Sequence, residues 1–148
     1  MTIILQESNH LYYAEVLTVK PWTLKPDRLA LFPREEVAEG YTFEKVGQKY
    51  VLTDGTKVME VYNVQGLAHA KGMLIAYLPK EKIVIEADLF TPPAQNAPLP
   101  ATITQSNRSF YNNVQRLKLD VTTIAPIHGG RVYPWADFAK FVASAKSN

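Results

Sequence analysis

Short apolar runs, each closed by turn residues, set the tightest limit on what this chain can fold into. Met73 to Leu78 is apolar throughout and is stopped by Pro79-Lys80-Glu81-Lys82, and Ile83-Val84-Ile85 follows at once. Runs of this length bounded by breakers are strands, and continuous apolar ones suit strands covered on both faces. Lys57 to Val64 has a period of two, and Asp54-Gly55, just upstream, is a hairpin-turn signal. Tyr41 to Val46 and Tyr50 to Leu52 are β-type segments separated by Gly47, Thr122 to Ile127 is another strand, and Ile3-Ile4-Leu5 starts the chain in a short one.

Helical spacing is found in three places. Residues 8 to 17 carry Leu11, Ala14 and Leu17 on one stripe, with Ser8 as the expected N-cap. Ser106 is the expected N-cap of a helix to about Lys118, with Phe110, Val114 and Leu117 on one face. Pro134 starts a terminal helix through Phe138, Phe141 and Val142. Pro21 to Gly40 reads as an irregular excursion, and Thr91 to Pro100, with four prolines, as a loop. The expected fold is α/β or α+β, one domain over 1–148, with no repeat and no linker.

The 148 residues are 47% hydrophobic, enough to offset the entropy of ordering, which excludes whole-chain disorder. There is no cysteine, so disulfides, a thiolate nucleophile and sulfur-ligated metals are excluded. Lys+Arg of 16 against Asp+Glu of 14 is no nucleic-acid footprint, and Lys20, Lys25, Arg28 and Arg34 lie scattered among acids and prolines. No apolar run reaches membrane-spanning length, and Met1 to Glu7 lacks the marks of a signal peptide. A cytoplasmic protein with neither nucleic-acid nor membrane partner is the expectation.

Candidate chemistry sits at strand ends. His69 lies in the glycine-flanked loop Gly66-Leu67-Ala68-His69-Ala70-Lys71-Gly72, Asp88 just past a strand in Glu86-Ala87-Asp88-Leu89-Phe90, and His128 just past another in Pro126-Ile127-His128-Gly129-Gly130. Loops at one rim of a sheet project functional groups, and His with carboxylate but no sulfur suits zinc, iron or manganese. A hydrogen-bonded loop histidine and a turn aspartate fit the same spacing. His10, on a helix among Leu11, Tyr12 and Tyr13, is expected only to pack.

Those three loops, taken with the strands Val61 to Val64, Met73 to Leu78, Val84 to Glu86 and Ile124 to Ile127, resemble the second half of a metallo-β-lactamase-fold hydrolase. The resemblance runs from about residue 41 to the end, and more weakly from residue 1. It implies that His69 completes one metal's ligand set, Asp88 bridges two metals and His128 serves the second. A bridged pair of cations activates water as hydroxide, the nucleophile of the superfamily's hydrolyses of lactams, thioesters, esters and phosphoesters. The family's primary motif, His-x-His-x-Asp-His, is absent from this sequence. Three ligands are too few for a dinuclear centre, so the resemblance implies a subunit or fragment that is not a complete hydrolase alone.

The family fold is a four-layer αββα sandwich, and this chain corresponds to one half, a mixed sheet with helices on its outer face. The inner face then needs cover, since exposed apolar surface costs roughly 25 cal/mol per Å². A homodimer or a partner chain carrying the missing half is expected. Beside the hydrolase-subunit reading stand a non-catalytic dimeric domain and a ligand-binding module using Trp22, Tyr41 and Phe90. The small-molecule substrate is not specified by the sequence.

Overall fold

Asp54 bends the chain where its type predicts. In a computed structural model, which describes residues 1–18, 40–68 and 70–144, its Oδ1 accepts the N–H groups of Thr56 at 2.8 Å and Lys57 at 2.7 Å. Thr53 Oγ1 closes the turn from below, accepting from Gly55 N at 3.0 Å, and Gly55 takes a φ of +89° that a side chain would resist. The turn joins β3 (Lys49–Thr53) to β4 (Val58–Asn63) in an antiparallel pair with Thr53 opposite Val58.

The chain divides into two compact units, 1–47 and 48–148. In the first, β1 (Thr2–Gln6) pairs in parallel with β2 (Thr42–Val46), Thr2 opposite Thr42. A single 3-10 turn, Glu7–Asn9, then leads into α1 (His10–Thr18). Ser8 is therefore not the N-cap of an α-helix. It sits inside the 3-10 turn, where its N–H and hydroxyl both bond to the Gln6 side chain. His10 packs, its ring edge-on to Phe43 at 5.3 Å. The expected Pro21 to Gly40 excursion falls, but for Gly40, outside the described residues.

The second unit is built on a six-stranded sheet of order β3-β4-β5-β6-β7-β8, with β5 at Leu74–Leu78, β6 at Ile83–Glu86, β7 at Thr123–Pro126 and β8 at Tyr133–Pro134. Every neighbouring pair is antiparallel except β6 and β7. A parallel pair needs a crossover, and α2 (Gln105–Arg116) supplies it. The terminal helix α3 (Trp135–Ser144) follows β8 directly.

Alternation sorts the side chains. Tyr62, Ile75, Tyr77, Val84, Ile124 and Tyr133 point to one face, where they form a core with Phe110 and Val114 of α2 and Phe138, Phe141 and Val142 of α3. Val84, Phe110, Val114, Ile124 and Phe138 are fully buried, each contributing about 1.5–3 kcal/mol. The other face carries Leu74, Leu78, Ile83 and Ile85, which are only half-buried. The apolar runs at β5 and β6 thus form strands fully buried on one face rather than both.

The start of α2 differs from expectation by two residues. Thr104, not Ser106, is the N-cap: its Oγ1 accepts from Asn107 N and its own N–H donates to Asn107 Oδ1, both at 3.1 Å. This reciprocal pair is a capping box with Asn in the place usually held by Glu or Gln.

Candidate metal site

Register places the site. In the parallel pair, Glu86 of β6 stands opposite Pro126 of β7. Asp88 and His128 each lie two residues beyond those partners, so both emerge at the same carboxyl edge, where open α/β sheets hold their ligands. His128 Nε2 and Asp88 Oδ1 stand 3.2 Å apart, and both side chains are about half exposed.

Several bonds fix this geometry. Asp88 adopts a left-handed backbone, φ +62°, an arrangement costing about 1 kcal/mol for a residue with a Cβ. The Glu86 carboxylate spans the turn, its Oε2 accepting from Leu89 N at 2.8 Å and Phe90 N at 3.2 Å. Asn107 of α2 donates from Nδ2 to Leu89 O at 2.7 Å. On the other strand, Ile127 N donates to Glu86 O at 2.8 Å. Past His128, Gly129 takes a φ of +127°, and a Cβ there would lie 3.0 Å from Pro92 Cδ. Arg131 Nε reaches Pro93 O at 3.0 Å, holding the two loops together.

The loop before His69 is tied to the same helix. Asn113 Oδ1 accepts from Gln65 N at 2.9 Å and its Nδ2 donates to Gln65 O at 2.8 Å, while Ser109 Oγ donates to Gly66 O at 2.8 Å. His69 itself lies outside the described residues. Of the three expected ligands the structure therefore brings Asp88 and His128 together. Among the described residues no group of three His, Asp or Glu side chains is placed to hold a metal ion.

The Asp88–His128 pair suits a cation in its chemistry and its span. Ligands about 2.0–2.2 Å from a tetrahedral zinc lie roughly 3.4 Å from one another, close to the separation found here. One nitrogen and one carboxylate oxygen are donors that zinc, iron and manganese all accept. Glu86 lies behind the pair and is 2% exposed. Burial pushes its carboxyl up to about 7, with the Asp88 charge adding to the rise, while the Leu89 and Phe90 N–H groups and His128 oppose it.

Asp88 also lines a pocket of about 290 Å³ with Leu89, Phe90, Thr104, Asn107 and Phe141. Of the three aromatics expected along a cleft, Phe90 lines this pocket but is 4% exposed and packs on Tyr133 and Phe138 in the core. Tyr41 is half-buried in the first unit, and Trp22 lies outside the described residues.

Glu86, Asn107, Ser109 and Asn113 escape a reading of the sequence by pattern. The signal was an acid on the inward phase of β6 and polar residues on the inward phase of α2, where side chains without a purpose would be apolar.

No family model matches the chain, and no curated protein matches it in sequence. Solved structures do. An archaeal metallo-β-lactamase superfamily protein from Sulfolobus tokodaii is 11% identical, with a TM-score of 0.52 over 96% of this chain and 57% of its own. The chain has the metallo-β-lactamase fold. Rubredoxin oxygen:oxidoreductase from Desulfovibrio gigas is similar over 95% of this chain and 35% of its own, at 15% identity and a TM-score of 0.60. The chemotaxis sensor ODP from T. denticola, in its apo state, is similar over 99% and 60%, at 10% identity and a TM-score of 0.60. This α+β chain thus spans between about a third and three-fifths of these solved chains. No helix among the described residues is long and apolar enough to cross a membrane.

Proposed function

We propose that this chain is the C-terminal half of a metallo-β-lactamase-like metal-dependent hydrolase, a subunit that keeps Asp88, His128 and His69 as metal ligands. The observation that carries the reading is the 3.2 Å approach of Asp88 Oδ1 to His128 Nε2 at the ends of adjacent parallel strands. Two residues brought from opposite ends of a crossover to the bite of a single cation are a costly arrangement for an exposed pair, since a surface ion pair contributes only about 0–1 kcal/mol. Zinc is the favoured ion, with iron or manganese accepted by the same donors. When bound, the metal would supply a water made acidic enough to act as hydroxide. Asp88 would hold the metal through its carboxylate and His128 through Nε2.

The chain by itself is catalytically incomplete in this reading, because the His-x-His-x-Asp-His string is missing. A chain carrying the first half would complete it, whereas a second copy of this one would cover the sheet face without supplying that string. The half-buried Leu78, Ile83 and Ile85 on the sheet face away from the helices are the surface such a partner would suit. In a second reading, a dimeric or ligand-binding domain that kept the fold without the reaction, Asp88 and His128 are held by turn geometry and by the contact between them.

The test is metal content by mass spectrometry on the light-scattering peak of protein purified without added metal, for wild type, Asp88→Ala and His128→Ala. About one zinc, iron or manganese per chain, lost in both variants, supports the metal reading. Metal-free wild type that also takes up no added zinc overturns it in favour of the second reading.

A further inference from the structure

Three of the five hydrogen bonds that restrain the Asp88–His128 turns involve one residue. Glu86 is the last residue of β6 and stands opposite Pro126. Its carbonyl holds Ile127 N, the amide next to His128, at 2.8 Å. Its carboxylate Oε2 holds the amides of Leu89 and Phe90, which follow Asp88. Backbone and side chain of a single buried residue therefore grip the two ligand-bearing turns, one each.

We propose that Glu86 is the positioning residue of the Asp88–His128 pair: its carboxylate closes the turn that keeps Asp88 left-handed and directed at His128. The physical logic is local. A strand that simply continued would carry Asp88 on with an ordinary negative φ, and left-handed backbone with a Cβ persists only where other bonds determine it. Two N–H groups converging on one carboxylate oxygen supply that determination, each worth more than a neutral hydrogen bond when the acceptor is charged. Asn107 restrains the same turn from the far side through Leu89 O. Glu86 Oε1 is buried without a partner among the described residues. The residue is buried, so it acts through the turn it closes. Its consequence for metal binding rests on the reading proposed above.

The experiment compares wild type, Glu86→Gln and Glu86→Leu in the full chain. Gln keeps an oxygen that accepts both N–H groups, and Leu fills the space but accepts nothing. Amide hydrogen exchange at Leu89 and Phe90 is read first, without metal. Both amides are expected to be protected in wild type and in Glu86→Gln and to exchange at least about tenfold faster in Glu86→Leu, since each has lost its bond. Cobalt(II) binding, followed by its visible spectrum, is read second. Glu86→Gln is expected to bind within threefold of wild type, and Glu86→Leu at least tenfold more weakly.

Unprotected Leu89 and Phe90 amides in the wild-type protein overturn the inference without any variant, so a misfolded Glu86→Leu does not rescue it. A folded Glu86→Leu that binds cobalt like wild type also overturns it. Wild type that binds no cobalt, with the exchange pattern as expected, removes the metal reading and leaves Glu86 as the residue that sets the Asp88 turn.

Discussion

Asn113 offers the sharpest test of how the loop before His69 is held. It is 3% exposed and its amide is fully used: Oδ1 accepts from Gln65 N and Arg116 Nη2, and Nδ2 donates to Gln65 O and Ser109 O. In Asn113→Ala, Arg116 turns to water and Ser109 O lies within the helix, so the uncompensated losses are the two bonds to Gln65. At about 0.5–1.5 kcal/mol each they cost roughly 1–3 kcal/mol. The better helix propensity of Ala returns about 0.5 kcal/mol. A net loss of about 1.5 kcal/mol is expected, read as a shift in the urea midpoint followed by tryptophan fluorescence, or as about 3–6 °C in Tm. Asn113→Leu restores volume but no bond, and keeps water from the two orphaned Gln65 groups, so it should be no more stable than Asn113→Ala. A Leu variant at wild-type stability would refute the reasoning, because packing rather than hydrogen bonding would then be what Asn113 contributes.

Two further outcomes follow from single positions. Gly129→Ala places a Cβ about 3.0 Å from Pro92 Cδ on a φ of +127°, so a loss of about 1–3 kcal/mol is expected in equilibrium denaturation; an unchanged midpoint would show that the Pro92 loop yields freely. The N–H groups of Lys57 and Thr56 and the Thr56 hydroxyl hold Asp54 down from an ordinary 3.8 to about 2. A folded pKa below the unfolded one means that the stability it brings is present above the unfolded value and lost as pH falls through about 2. Asp54→Asn should therefore be less stable than wild type near neutrality, with the gap in urea midpoint closing as acid is added; a gap independent of pH would exclude the carboxylate as its source.

The strands were legible because burial wrote itself into them. Met73 to Leu78 and Ile83 to Ile85 are too apolar and too short to be anything else, and Asp54-Gly55 marks the hairpin outright. β8 was not legible: Tyr133–Pro134 is two residues long and exists through its pairing with β7. That Asp88 and His128 follow strand ends was readable, whereas the Glu86–Pro126 register that joins them is a long-range fact with no local trace. Helix α2 misleads in a different way. Its sequence, Gln105 to Arg116, looks like a surface helix with one apolar stripe, yet Asn107, Ser109 and Asn113 are buried because loop backbone needs partners there. The choice of Thr104 over Ser106 as cap depended on Asn107, whose side chain completes the box.

The lone parallel pairing in the larger unit also orders events in time. β3 to β6 fold back on one another through short connections, so their contacts close small loops and form early. β6 and β7 meet only after the whole stretch from Ala87 through α2 to Thr122 has been looped and docked. The two side chains that stand 3.2 Å apart are carried by the flanks of that late closure. Partial unfolding that detaches α2 would separate them while leaving the β3–β6 meander paired, so the site would vanish before the sheet does.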